Sequence, residues 1–171
     1  GYSAAMAMTR SPSPDKAQAL IDAARTDRDR RIANNLAAKA RYYDEARKLA
    51  QKAAAFPPNS AGCRHFVVCS GGGPSIMEAA NRGAHDVGAQ TIGLNIVLPH
   101  EQAPNEYVTP ELSFQFHYFA LRKMHFLIRA RALAVFPGGF GTFDEFFELL
   151  TLVQTGKIKP IPILLFGRDF W

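Results

Sequence analysis

Leu133-Ala134-Val135-Phe136-Pro137-Gly138-Gly139-Phe140-Gly141-Thr142 is the stretch on which the fold turns. Its four apolar residues read as a short strand, and Pro137 ends the strand because proline cannot donate to a ladder. Three glycines then lead into Phe143 to Thr155, a segment of helical composition that Gly156 closes. Strand, glycine-rich turn and helix in immediate succession are the first half of a crossover between parallel strands. The same grammar occurs upstream. Phe66-Val67-Val68-Cys69 runs into Ser70-Gly71-Gly72-Gly73-Pro74, and Ser75 to Val87 reads as a helix.

Working outward, Thr91 to Val97 is β-branched and apolar and predicts a strand. Pro99 to Pro110 is a loop, Ser113 to Phe119 alternates as a strand does, and Ala120 to Arg131 is helical by composition. Ile161 to Phe166 is a further strand. Near-continuous apolar strands that alternate with helices predict an α/β fold, with a parallel sheet covered on both faces. Asp15 to Phe56 contains neither Gly nor Pro, is rich in Ala, Arg and Lys, and predicts one helix or two joined at the polar cluster Thr26 to Arg31. Pro57-Pro58-Asn59-Ser60 ends it. Residues 1–14, with Ser11-Pro12-Ser13-Pro14, read as a flexible lead-in. Residues 15–171 then form one domain, with a helical segment (15–56) ahead of an α/β core (61–171).

The chain has 171 residues, 47% apolar and 20% charged, which is globular composition. No apolar run reaches the roughly 18 residues that span a bilayer, and residues 1–14 lack a signal-peptide core. Cys63 and Cys69 do not make a disulfide framework and read as reduced thiols, so a cytoplasmic protein with no membrane partner is expected. The net charge of +5 belongs to the front of the chain: residues 1–60 hold 11 Lys/Arg against 6 Asp/Glu, and residues 61–171 hold 9 of each. The basic residues alternate with acidic ones and have few aromatic neighbours. They describe a solvated helix face better than a nucleic-acid surface.

Both Gly-rich turns follow a strand's carboxyl end, where open α/β sheets bind ligands. A helix start offers unpaired N–H groups and a positive dipole end, and glycine removes the Cβ atoms that keep an anion at a distance. Neither turn fits the Walker pattern or the dinucleotide fingerprint. A nucleoside phosphate therefore suits them better than ATP hydrolysis or NAD. Ser75-x-x-Glu78 and Thr142-x-x-Glu145 are also written as capping boxes, in which each Glu serves only its own helix. Arg122-Lys123, just ahead of the second turn's strand, either neutralises a bound phosphate or is an exposed basic pair. His117 and His125 lack metal-ligand spacing, and Ser70 is not in a nucleophile elbow. No cofactor is called for.

Ser70-Gly71-Gly72-Gly73-Pro74-Ser75-Ile76-Met77-Glu78-Ala79, Leu121-Arg122-Lys123-Met124 and Pro137-Gly138-Gly139-Phe140-Gly141-Thr142-Phe143-Asp144-Glu145 together resemble the signatures of the Lonely-Guy family. These are cytokinin-activating nucleoside 5′-monophosphate phosphoribohydrolases, long mislabelled as lysine decarboxylases. The resemblance covers residues 63–171, and Leu98-Pro99-His100-Glu101-Gln102 looks like the longer bacterial branch. It implies a Rossmann-like fold that hydrolyses a purine nucleoside monophosphate, such as AMP or a cytokinin ribotide, to free base and ribose 5-phosphate. By that resemblance Gly138, Gly139, Gly141 and Thr142 hold the 5′-phosphate, and Arg122 and Glu145 are the catalytic pair. Lys123 and Glu101 bind substrate, Gly72 and Gly73 line the nucleotide cleft, and the protein is a homo-oligomer.

Three departures stand out. No strand precedes residue 61 where the family has its first. Ser75 stands where a glycine is common. The chain stops at Trp171 where relatives continue, as a fragment would. The rival reading is a non-catalytic carrier of a nucleotide or of the molybdenum cofactor, which shares the fold. True lysine decarboxylation needs a pyridoxal-phosphate Schiff base, and Lys123 is the only lysine near the Gly-rich turns.

Overall fold

The computed structural model describes residues 11–62, 64–97 and 103–171, which divide into two compact units, Ser11–Arg122 and Lys123–Trp171. The first unit opens with two helices, α1 (Pro14–Asp22) and α2 (Asp27–Ala54). They part just ahead of the polar cluster, which is the first turn of α2. Thr26 caps α2, and the Asp29 carboxylate accepts from the Thr26 N–H in return, a reciprocal box that satisfies two orphan donors.

Of the expected lead-in, residues 11–14 are described, and they are tied to the fold. Ser13 accepts a bond from the Lys16 N–H and caps α1, with Pro14 in the first turn where a missing N–H costs nothing. Ser11 is buried; its N–H donates to Ser75 Oγ at 2.6 Å, and that hydroxyl donates to the Ser11 carbonyl, also at 2.6 Å. Residues 11–14 are thus built into the fold, while 1–10 lie outside the described residues.

Helix α2 buries a face of small residues, Ala40, Ala46, Ala50 and Ala54, with Tyr43 among them. That face packs against α3 (Ile76–Asp86). The approach is closest at Gly83. A Cβ there would stand 2.8 Å from Ala50 Cβ and closer still to the Arg47 carbonyl oxygen. At the rim, Arg47 pairs with Asp86 at 2.5 Å and Gln51 donates to the same oxygen at 2.9 Å. The Arg47 guanidinium holds the Asp86 carboxyl below its ordinary range.

Three parallel strands follow the order β1-β2-β3: β1 (Val68–Ser70), β2 (Thr91–Ile96) and β3 (Ser113–Phe116). Val68 lies opposite Thr91, and Gly93 opposite Ser113. A 3-10 turn, Pro110–Leu112, delivers the chain into β3. Helix α4 (Phe119–Ile128) carries the chain from one unit to the other. The second unit pairs β4 (Leu133–Val135) in parallel with β5 (Ile163–Leu165), joined through α5 (Phe140–Gln154). Phe136 stacks on Phe166 at 4.3 Å. Trp171 stands edge-on to Phe143 and Phe146 of α5, and its indole N–H donates to the Phe166 carbonyl at 2.7 Å. Parallel strands joined by helices make this an α/β, Rossmann-like fold. No helix among the described residues is long and apolar enough to cross a membrane.

Candidate functional site

The first Gly-rich turn is held by buried amides. Ser70, at the end of β1, donates to Asn81 Oδ1 at 2.6 Å and accepts from the Gly72 N–H at 3.0 Å. Asn81, fully buried in α3, donates to Thr91 Oγ1. Asn105 donates from its Nδ2 to the carbonyls of Gly72 (2.9 Å) and Gly73 (3.0 Å) and to Asn81 Oδ1 (3.0 Å). A satisfied polar network of this kind fixes a loop more sharply than apolar packing does.

The glycines of this turn serve close packing. A Cβ on Gly71 would meet Met77 Sδ at 2.6 Å and Arg122 Nη2 at 2.7 Å. One on Gly72 would meet the Asn95 amide at 2.8 Å, and one on Gly73 would meet Met77 Cε at 2.7 Å. The space vacated by their missing side chains is therefore taken by the chain's own side chains rather than left to an anion. Arg122 is positioned from the other side, its Nε donating to the Leu94 carbonyl at 2.7 Å.

The expected capping box at Ser75 does not form. Ser75 has φ +71°, a conformation that favours glycine, and its hydroxyl is spent on Ser11 rather than on the helix. Glu78 turns instead to α2 and α1. Tyr43 donates to it at 2.8 Å, and Lys16 reaches it at 3.4 Å. Burial, with the Glu78 charge adding to it, pushes the Tyr43 hydroxyl up to about 12.

The second turn is organised differently. Helix α5 begins at Phe140, three residues before the predicted start, with Gly139 as N-cap and no side chain capping it. The predicted Thr142–Glu145 box is therefore also not formed; Thr142 is the third helical residue, and its N–H donates to the Gly139 carbonyl at 2.9 Å. The Thr142 side chain covers Gly138, where any Cβ would collide with its Oγ1 and Cβ. At Gly141 a Cβ would find no atom within 4 Å, so this face of the helix start is open. Uncapped first-turn amides, the positive end of a 15-residue helix and a clear approach are what an anion needs.

Glu145 lies half-buried in the second turn of α5. Its neighbours on α5 hold Lys123: Nζ stands 3.1 Å from Asp144 and 3.5 Å from Glu148. The Asp144 carboxylate raises the Lys123 ammonium above its ordinary value, so it stays charged. Of the residues singled out in the sequence, Gly72, Gly73 and Arg122 belong to the first unit. Lys123, Gly138, Gly139, Gly141, Thr142 and Glu145 belong to the second, and Glu101 lies outside the described residues. Sequence reasoning missed Asn81, Asn95, Asn105, Asp144 and Glu148. Only an Asn at position 95 inside an apolar strand carried a local signal, since Asn is depleted in strands. Among the described residues no three His, Cys, Asp or Glu gather as metal ligands.

Comparison with known proteins agrees with the motifs. Residues 77–171 match the family model described as "Possible lysine decarboxylase". Two Arabidopsis thaliana relatives, the cytokinin riboside 5′-monophosphate phosphoribohydrolases LOG2 and LOG4, are 30% identical over 101 residues and 31% over 102. Each match takes in 57% of this chain and 46% of the relative, so the chain spans about half the length of these curated proteins. Among solved structures, the molybdenum cofactor carrier protein MCP of Chlamydomonas reinhardtii superposes with a TM-score of 0.51 over 73% of this chain and 66% of that one, at 23% identity. That likeness speaks for the fold alone. With the family model covering more than half of the sequence and the three signatures in order, the chain belongs to the Lonely-Guy family, the group whose model bears the lysine decarboxylase description.

Proposed function

We propose that this protein hydrolyses the N-glycosidic bond of purine nucleoside 5′-monophosphates, with AMP or a cytokinin ribotide as substrate. Water adds at C1′ of the ribose, and the products are the free base and ribose 5-phosphate. The observation that carries this reading is the uncapped start of α5 with its open Gly141. The 5′-phosphate takes the amides of Gly139 to Gly141, and Gly138 lets Thr142 fold back beside them. Breaking the bond develops positive charge on the ribose, as in glycoside hydrolysis. Glu145, a few residues into the same helix, is the carboxylate that stabilises this charge or orients the water. Arg122 balances charge on the phosphate or on the departing base, and Lys123 binds substrate from between Asp144 and Glu148. Phosphate binding away from the reacting carbon supplies orientation. No cofactor enters the reaction.

The test is to incubate the protein with AMP and follow adenine and ribose 5-phosphate by chromatography, for wild type and Glu145→Gln. Equimolar products from wild type, reduced at least roughly 100-fold in the variant, support the assignment. No release of base by wild type, with AMP still bound, leaves the non-catalytic carrier as the better reading. A homo-oligomer is part of the proposal; the exposed Leu121, Met124 and Ile128 of α4 favour it, and light scattering reads it directly.

A further inference from the structure

Asn95 is the penultimate residue of β2, the middle strand of the three, at the carboxyl end where α/β sheets place their ligands. It is 8% exposed, and its Nδ2 is buried without a hydrogen-bond partner among the described residues. The other amides of this region are engaged: Asn81 by Ser70 and Thr91, and Asn105 by Gly72, Gly73 and Asn81. Asn95 stands outside that network although it lies against the same loop, both amide atoms 2.8 Å from where a Cβ on Gly72 would be. Gly72, at φ +71°, makes the room. The residue before Asn95, Leu94, gives its carbonyl to Arg122.

A buried amide with an idle donor is costly, and an apolar residue would fill a central strand better. With no partner among the described residues, a bound ligand accounts for its presence. A carboxamide offers donor and acceptor side by side, which complements either adjacent sugar hydroxyls or the N6/N7 edge of an aminopurine. A phosphate, which only accepts, would use the donor alone and leave the acceptor idle. We infer that Asn95 is a substrate-binding residue that reads the nucleoside part of the ligand. The inference rests on the nucleoside monophosphate reading of the preceding section.

The experiment measures equilibrium binding of AMP, ribose 5-phosphate and inorganic phosphate to the full chain. Asn95 is compared with Asn95→Ala and Asn95→Leu, all in a Glu145→Gln background so that AMP survives the titration. AMP affinity falls about tenfold or more in both variants, the scale of one or two neutral hydrogen bonds, while phosphate affinity is unchanged. If ribose 5-phosphate weakens in parallel, the amide reads the sugar; if AMP alone weakens, it reads the base. Without ligand, Asn95→Leu melts no lower than the parent, because no side-chain bond among the described residues has been lost. The inference is overturned if AMP affinity stays within about twofold of the parent in both variants, well short of one lost hydrogen bond. It is equally overturned if phosphate binding and the melting temperature fall together with it, as for a purely structural residue. Affinity is read without turnover, so a wild type that binds AMP but releases no adenine removes the hydrolase and leaves this inference standing.

Discussion

Gly83→Ala sets helix propensity against packing, and the two predict opposite signs. Gly83 lies in the interior of α3, where glycine costs about 1 kcal/mol relative to alanine, so propensity alone predicts a gain of that size. Packing predicts a loss. The new methyl would stand 2.8 Å from Ala50 Cβ and nearer still to the Arg47 carbonyl oxygen. That oxygen belongs to the backbone of a 28-residue helix, so no side chain can swing aside and α2 must be pushed off α3 as a body. Overpacking of this kind costs about 1–3 kcal/mol. Separation would also loosen the bond of Arg47 to Asp86, which sits one turn away. We expect a net loss of about 1 kcal/mol, which for a chain of this size lowers Tm by roughly 2–4 °C. Thermal unfolding followed by circular dichroism measures it. Gly88→Ala is the control: its φ is +64° but no atom lies within 4 Å, so only backbone strain is added. A Gly83→Ala protein as stable as wild type or more so would refute the close helix contact.

At the second turn, Gly141→Ala adds a methyl to open space in a helix; stability should rise by about 0.5–1 kcal/mol while phosphate affinity falls at least about fivefold, and a calorimetric titration showing unchanged affinity would remove the anion from this helix start. Asp86→Asn tests the Arg47 pair through pH. Because Arg47 lowers the folded-state value of Asp86, the pair's contribution is complete above the unfolded carboxyl value of about 4 and disappears as pH falls through the lowered one. The stability gap between wild type and variant in urea titrations should therefore be present at about pH 7 and close near pH 2. Tyr43→Phe tests the opposite limb. With its hydroxyl raised from 10.0 to about 12, wild type should lose stability as pH climbs from 10.0 to about 12, and the variant should lose less over that range. At neutral pH the variant should be less stable by about 1–2 kcal/mol, since Glu78 loses a donor.

The alternation of elements was legible because it rests on local chemistry: apolar strands, glycine-rich turns, and an alanine-rich helix free of breakers. Each predicted strand is present, shortened at one end or both. The break between α1 and α2 fell next to the cluster that foretold it. What was not legible depends on partners distant in sequence. Asn105 reaches Gly72 across 33 positions and Asn81 across 24, and neither asparagine carries a local mark of that role. Tyr43 claims Glu78 across 35 positions, which removes the Glu from its own helix start. Ser11 claims Ser75 across 64, which is why a segment rich in Ser and Pro is ordered rather than loose.

The two capping boxes fail for different reasons, and the contrast bears on what each turn does. At Ser75 the positive φ turns the side chain away from its helix, and the hydroxyl closes on the chain's own Ser11. At Thr142 the helix starts early because Gly138 admits the threonine side chain where any other residue would collide. The box geometry is then lost, since Thr142 is inside the helix and Gly139 has no side chain to cap with. The first turn is thus closed by its neighbours, with Met77, Arg122 and Asn95 pressed against its glycines, whereas the second is left uncapped with one glycine facing open space. Two turns that look alike as sequence divide the work: one holds side chains in place, and the other keeps helix amides available. If that division is right, substitutions at Gly71 and Gly72 act through misplaced Arg122 and Asn95 and are felt as lost folding stability as well as lost binding. Substitution at Gly141 is felt in phosphate binding with the fold intact.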